Sequence, residues 1–393
     1  MDWKQIILFA SILIISVVFY QQFQAGCGAK RRDKLEGMEE QSKTDFVENS
    51  NAKKHDNACN NSYKDPQALP LREYYIKSCY NSAYDGNDVS CSTIINRLAE
   101  GYRFLDFNVF SSEQEVYVGF SKNNTPEPLS NGNLKFSDAL ECIAKHAFVK
   151  PSDPPAGAVS WDYTSLPLFL NIRVFRGPKS TLDIVSSVAN IINPNSGASG
   201  GSSAKVSQPT LSSHYHIGDK NTPIKVDSCT TLSSISRKII FTMNIQNILE
   251  VYTPSAEFAS NIPQPTIAAV NSFVNFLTGG NTCPAFYRYN DASLTSRTNT
   301  LMRSSDDLKS YQTNLRYMII VYPHPTDERP QPDIELFALN CSALILPMRV
   351  YLGDDSGNLA MNTHIFNYNQ SAFVPASKLQ LTIENYRQGN RQT

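Results

Sequence analysis

An apolar run, Ile6 to Tyr20, opens the chain between Lys4 and the basic residues Lys30, Arg31, Arg32 and Lys34. At about 1.5 Å per residue it spans roughly 22 Å, short of a hydrocarbon core of about 30 Å unless Trp3 and Phe23 act as interfacial ends. The pattern predicts an N-terminal transmembrane helix within 1–28, a single-pass membrane anchor. By the positive-inside rule the C-terminal bulk stays on the cytoplasmic side. A cleaved signal peptide is the alternative, since "QAGCGA" places small residues around Cys27. Lipidation of Cys27 fits less well, because polar "QQFQ" separates it from the run. Residues 29–66 are polar and charged, with too few apolar residues to fold alone, and predict a tether.

From 67 to 388 two periodicities alternate. "YYIKS", "RFLDFNVF", "EVYVGF", "LPLFLNIRVF", "RKIIFTMNI", "YMIIVY" and "IELFALN" read as strands. "CSTIINRLAEG", "KFSDALECIAKHAF", "STLDIVSSVANII" and "TIAAVNSFVNFL" read as helices. The alternation predicts an α/β fold with a mostly parallel sheet, and the length suits a TIM-type (β/α)8 barrel. A doubly wound sheet is the other arrangement, but no Gly-rich dinucleotide turn follows the first strand. The Gly/Ser-rich stretch 193–214 reads as a surface insertion and 389–393 as a tail.

Composition narrows the partners. With 41% hydrophobic residues and 35 Lys and Arg against 36 Asp and Glu, the chain can bury a core but sets up no field that would gather nucleic acid, so none is expected as a partner. The eight cysteines form no CxxC or zinc spacing. On the cytoplasmic side they are expected to be mostly free thiols, with Cys79, Cys142 and Cys341 buried as small apolar side chains. His214 and His216 lie at the edge of the Ser-rich insertion and are expected in solvent. His364 is the one histidine placed to act as a displaced catalyst.

Function in such a barrel lies at the C-terminal ends of strands. Tyr80 and Asn81 follow the first strand, Asp106 and Asn108 share one face of the second, and Phe120 follows "VYVG". Asn81, Asp106 and Asn108 are oxygen donors suited to a hard cation, but a single carboxylate predicts a degenerate, weak calcium site. No other cofactor is expected.

The order of segments from Pro70 to Phe175, "PLREYYIKSCYNSAYDG … STIINRLAEGYRFLDFNVF … EVYVGF … FSDALECIAKHAF … LPLFLNIRVF", resembles the X region of phosphoinositide-specific phospholipase C. "SRKIIF" and the stretch from "IELFALN" to "VPASKL" resemble later parts of that family. The resemblance implies a calcium-dependent phosphodiesterase on a TIM-type barrel, a PLC-like phosphodiesterase, and it implies where the chemistry has been lost. The family's two catalytic histidines fall on Tyr80 and Phe120. Asn81 matches a calcium ligand, the other ligands fall on Asp106, Asn108 and Arg173, and a phosphate-contacting lysine falls on Thr242. Phenylalanine can move no proton and a phenol is a poor base at neutral pH; each lost acid/base group costs about 10² to 10⁴ in rate. The expectation is a catalytically silent barrel, a pseudoenzyme serving as a structural or binding module. Arg173, Lys238 and Arg103 are the candidates for holding an inositol phosphate or lipid headgroup. The Asn-rich, low-charge style is similar to that of membrane proteins of large DNA viruses, which adds a virion capsid to the expected protein partners. The alternative is a phosphoric diester hydrolase with a rearranged site.

Overall fold

The structure, a computed structural model, describes residues 69–390 except 113–114, 121–133, 175–180, 194–213, 219–221, 227–229, 245–263, 279–285, 291–317, 324–330, 341–342 and 353–356. All of these belong to the unit Ser62–Thr393. The predicted anchor, the tether and nearly all of the insertion lie outside the described residues. Among the described residues no helix is long and apolar enough to cross a membrane.

The first predicted strand divides at Lys77 into β1 (Tyr74–Ile76) and β2 (Ser78–Cys79). Then follow α1 (Cys91–Ala99), β3 (Phe104–Ser111), β4 (Val116–Gly119), β5 (Leu134–Lys135), α2 (Phe136–His146), β6 (Leu168–Val174) and α3 (Thr181–Ile192). The second half adds β7 (Ile239–Asn244), α4 (Gln264–Asn271), β8 (Phe276–Thr278), β9 (Phe286–Asn290), β10 (Met318–Tyr322), α5 (Asn358–Asn369), β11 (Phe373–Pro375) and α6 (Ala376–Asn390).

β2, β3, β6, β7 and β8 are parallel neighbours in that order. β4 and β5 extend β3 in antiparallel fashion, a departure from the expected parallel pattern that follows from the short return loop after Ser111. On the other side, single bridges Ile76↔Ile345, Cys79↔Met348 and Ile320↔Ile345 carry the sheet from β1 and β2 to β10, which pairs with β9. The described strands form a curled sheet; no described ladder joins β8 to β9, so closure into the expected eight-stranded ring is not shown.

β3 and β6 are buried on both faces, as parallel strands covered by helices must be. Register pairs Phe104, Asp106 and Asn108 with Phe169, Asn171 and Arg173. Phe104 and Phe169 meet Ile240, Ile320, Tyr322 and Ile345 inside the curl. The alternate residues Leu105, Phe107, Leu170 and Ile172 pack outward against α1, α2 and α3. Polar side chains at 106, 108, 171 and 173 therefore point into the interior.

Several sequence expectations change. "TIAAVNSFVNFL" is helical only to Asn271, because the Asn275 side chain accepts from the Phe241 amide at 2.9 Å and its own amide bonds the Phe241 carbonyl, turning the chain into β8. "IELFALN" forms a wide helical turn, Glu335–Asn340, instead of a strand. His214 and His216 are docked beside β7, not loose in solvent: the Ile239 amide donates to the His214 carbonyl and the His216 amide to the Ile239 carbonyl. Cys91 and Cys142 are joined in a disulfide, their Cα atoms 6.1 Å apart, where free thiols were expected. The pairing follows from packing, since Cys91 opens α1 and Cys142 lies on the buried face of the adjacent α2. Cys79 is buried and free.

Candidate active site

The turn after β2 is stapled to β3. Asn81 takes the left-handed conformation, φ +48°, which asparagine tolerates better than most residues. Its amide donates to Asp106 Oδ2 at 3.3 Å and the Ser82 amide to the Asp106 carbonyl at 2.8 Å. Ser82 Oγ accepts from the Asp106 amide and donates to the Cys79 carbonyl, both at 2.9 Å. Tyr80 and Asn81 are thereby fixed at the strand end that the sequence predicted.

Into this frame β6 projects Arg173, whose side chain is 2% exposed. Its Nε donates to both Asp106 oxygens at 2.9 and 3.0 Å, and Nη2 to Asp106 Oδ2 at 2.5 Å. Nη1 donates to the Tyr80 hydroxyl at 2.9 Å and Nη2 to Asn81 Oδ1 at 2.8 Å. The guanidinium lies 4.3 Å from the Tyr80 ring centroid and 5.6 Å from that of Tyr322. Burial works against its charge, but the Asp106 carboxylate and its hydrogen bonds outweigh that and hold Arg173 above the ordinary arginine range. Planar, bidentate pairing is what a guanidinium does and an ammonium cannot.

A second tier fixes Asp106. Asn171 donates to Asp106 Oδ1 at 2.7 Å and to the Tyr322 hydroxyl at 2.6 Å, and accepts from Thr242 at 2.9 Å. Asn171 and Tyr322 were missed from the sequence. The signal for Asn171 was there: a polar residue two before Arg173 in an otherwise apolar strand shares its face. Tyr322 carried no comparable signal.

Asn108 behaves differently. It is 1% exposed, and neither its Oδ1 nor its Nδ2 finds a partner. It faces a small hollow with Asn81, Asp106, Tyr84 and Gly119 that has no room for a water molecule. Above this, Phe120 stacks on Tyr84 at 3.8 Å between centroids, and Tyr351 sets its edge against both. Asn81 Nδ2 donates to the Tyr351 hydroxyl at 3.4 Å.

The other expected headgroup contacts are elsewhere. Arg103, fully buried just before β3, donates to the Ala147 carbonyl at 2.9 Å, closing the end of α2, and lies 4.6 Å from the Tyr163 ring centroid. Burial lowers its pKa to about 9. Lys238 precedes β7, its carbonyl accepting from the Leu168 amide; Arg173 is five residues further along β6, roughly 17 Å at about 3.3 Å per residue. The structure therefore does not bring Arg173, Lys238 and Arg103 together, because the latter two sit at the opposite ends of their strands. His364 lies between the two C-terminal helices against Tyr368 and Tyr386, away from the strand ends.

The donor set does not fit calcium. Among Asn81, Asp106 and Asn108 the one carboxylate is already paired with a cation, and Asn81 Oδ1 is taken by the same guanidinium; a hard dication requires several free oxygen ligands.

Residues 67–158 match the family model described as phosphatidylinositol-specific phospholipase C, X domain. Two solved structures resemble most of the chain: PLC21 of L. pealei, with 15% identity and a TM-score of 0.52, and PLC21 of S. officinalis, with 15% identity and a TM-score of 0.51. The chain has a phospholipase-C-like phosphodiesterase fold. Each match covers 79% of this chain and 38% of the PLC21 chain. No curated protein sequence matches. The phospholipase-C-like region thus includes β1 to α2, the elements that carry Tyr80, Asn81, Asp106, Asn108 and Phe120.

Proposed function

We propose that the protein is a catalytically silent phospholipase-C-like barrel in which Arg173 serves as a built-in cation in place of a metal, leaving a binding or structural module. The carrying observation is the Arg173 guanidinium bonded at once to Asp106, Asn81 and Tyr80. Phosphodiester cleavage of this kind needs a group to take a proton from the attacking hydroxyl and another to protonate the leaving oxygen. Phe120 can do neither, and the Tyr80 hydroxyl faces the guanidinium. No histidine among the described residues replaces them. Buried and already hydrogen-bonded, Arg173 offers a phosphate little. The module is held beside a membrane by its N-terminal apolar run and works through protein partners.

The test is hydrolysis of a soluble inositol phosphodiester by the full-length protein, in calcium and in chelator, beside a Tyr80→His, Phe120→His, Arg173→Glu variant. The expected result is no product above buffer from the natural sequence in either condition. Turnover would establish the alternative, a phosphoric diester hydrolase with a rearranged site, and overturn silence.

A further inference from the structure

The Cys91–Cys142 disulfide joins α1 to α2, and its two sulfurs are in unlike settings. Cys142 is 4% exposed; Cys91 is half-buried at the first position of α1, immediately after the N-cap Ser90, whose side chain accepts from the Thr93 amide. A thiolate at a helix N-terminus is stabilised, which favours the reduced state of its disulfide. Cys142 in turn has an acceptor in place for a thiol proton, the Cys91 carbonyl at 3.4 Å. The pair also sits next to the site. Eight residues before Cys91 is Ala83, whose carbonyl accepts from the Ser90 amide, and Tyr84 donates its amide to the Asn81 carbonyl. On the other side, Phe136, Ala139 and Leu140 of α2 share one core with Val118 and Phe120.

We propose that this disulfide is a reducible clamp on the closed mouth of the site, opened by a dithiol reductant. One thiol of the reductant, as thiolate, attacks Cys91 Sγ; the Cys91–Cys142 bond breaks and Cys142 leaves and takes a proton. The second thiol then attacks the mixed disulfide and releases Cys91. Two electrons and two protons pass to the protein, and the dithiol becomes a disulfide. With the clamp open, α1 and α2 are tied only by packing, and the turn 81–90 and the stacked Tyr84 and Phe120 loosen over Asn81 and Arg173.

The experiment is amide hydrogen exchange on the full chain under native conditions, before and after dithiothreitol, with thiols counted by maleimide tagging and mass spectrometry. Expected are a Cys91–Cys142 linked peptide before treatment, two added tags on these residues after it, and about tenfold faster exchange at Ser82, Tyr84 and Ser90. Phe169, deep in β6, should keep its protection, which separates opening from unfolding. Cys91→Ser, Cys142→Ser should show the faster exchange without reductant; if it does not fold, the reduced natural protein decides alone. Free thiols at both positions before treatment, a bond that resists dithiol until the protein unfolds, or reduction with unchanged exchange at 82, 84 and 90 would each overturn the proposal.

Discussion

Arg173 and Asp106 are each almost wholly removed from water, so each depends on the other. Removing one partner of such a pair typically costs about 3–5 kcal/mol, because the survivor is a buried unpaired charge. Arg173→Met alone and Asp106→Asn alone should each lower stability by about that much in urea unfolding. The Asp106→Asn, Arg173→Met pair should recover most of it, with a coupling of several kcal/mol from the double-mutant cycle. Asn108 predicts the opposite sign. Both of its amide atoms are orphaned at about 1–3 kcal/mol each, so Asn108→Leu should stabilise by about 1–2 kcal/mol, read from the same unfolding curves. Most of this was legible in the sequence, since period-2 placement and the family pattern together put Tyr80, Asn81, Asp106, Asn108 and Arg173 in one place. What was not legible is that Arg173 pairs inward with Asp106, Asn81 and Tyr80, because a sequence gives an arginine's position on a strand but not which of its neighbours it bonds.

At the scale of elements, α1 and α2 are held together by a disulfide closing a separation of 51 residues. Loop-closure entropy gives such a bond about 4 kcal/mol, and reduction should lower the unfolding free energy by up to that amount. Gly101, between α1 and β3, has φ +83°, and a Cβ there would lie 2.5 Å from the Trp161 ring. Gly101→Ala should therefore destabilise by about 2–3 kcal/mol and move Trp161 fluorescence. Strands and helices through α3 were read correctly in kind from their periodicity. Two of the misreadings fall where one side chain or one covalent bond decides: Asn275 ending a helical pattern early, and a cysteine pairing that spacing alone does not reveal; the helical turn Glu335–Asn340, read as a strand, is a third.

At the scale of the whole molecule, Lys77 contributes a rise in stability at alkaline pH, read as the difference between the natural protein and a Lys77 variant. Lys77 is buried beside the Tyr102 and Trp161 rings, its Nζ donating to the Glu100 carbonyl at 2.6 Å, and burial lowers its pKa from 10.5 to about 8. Between these values the unfolded chain binds more protons than the folded one, so stability rises as pH goes from about 8 to 10.5. Lys77→Met should remove that rise and, after the lost hydrogen bond, stabilise by about 2 kcal/mol near pH 7. The parallel order β2–β3–β6–β7–β8 agrees with the alternation read from the sequence, while closure of the ring depends on pairings that periodicity does not encode. The proposed function rests on a guanidinium holding the place of a metal. Calorimetric titration of calcium into the full-length protein tests it most directly. No saturable heat, and no change in unfolding temperature with calcium, is the predicted result; stoichiometric binding that Asp106→Asn abolishes would contradict it.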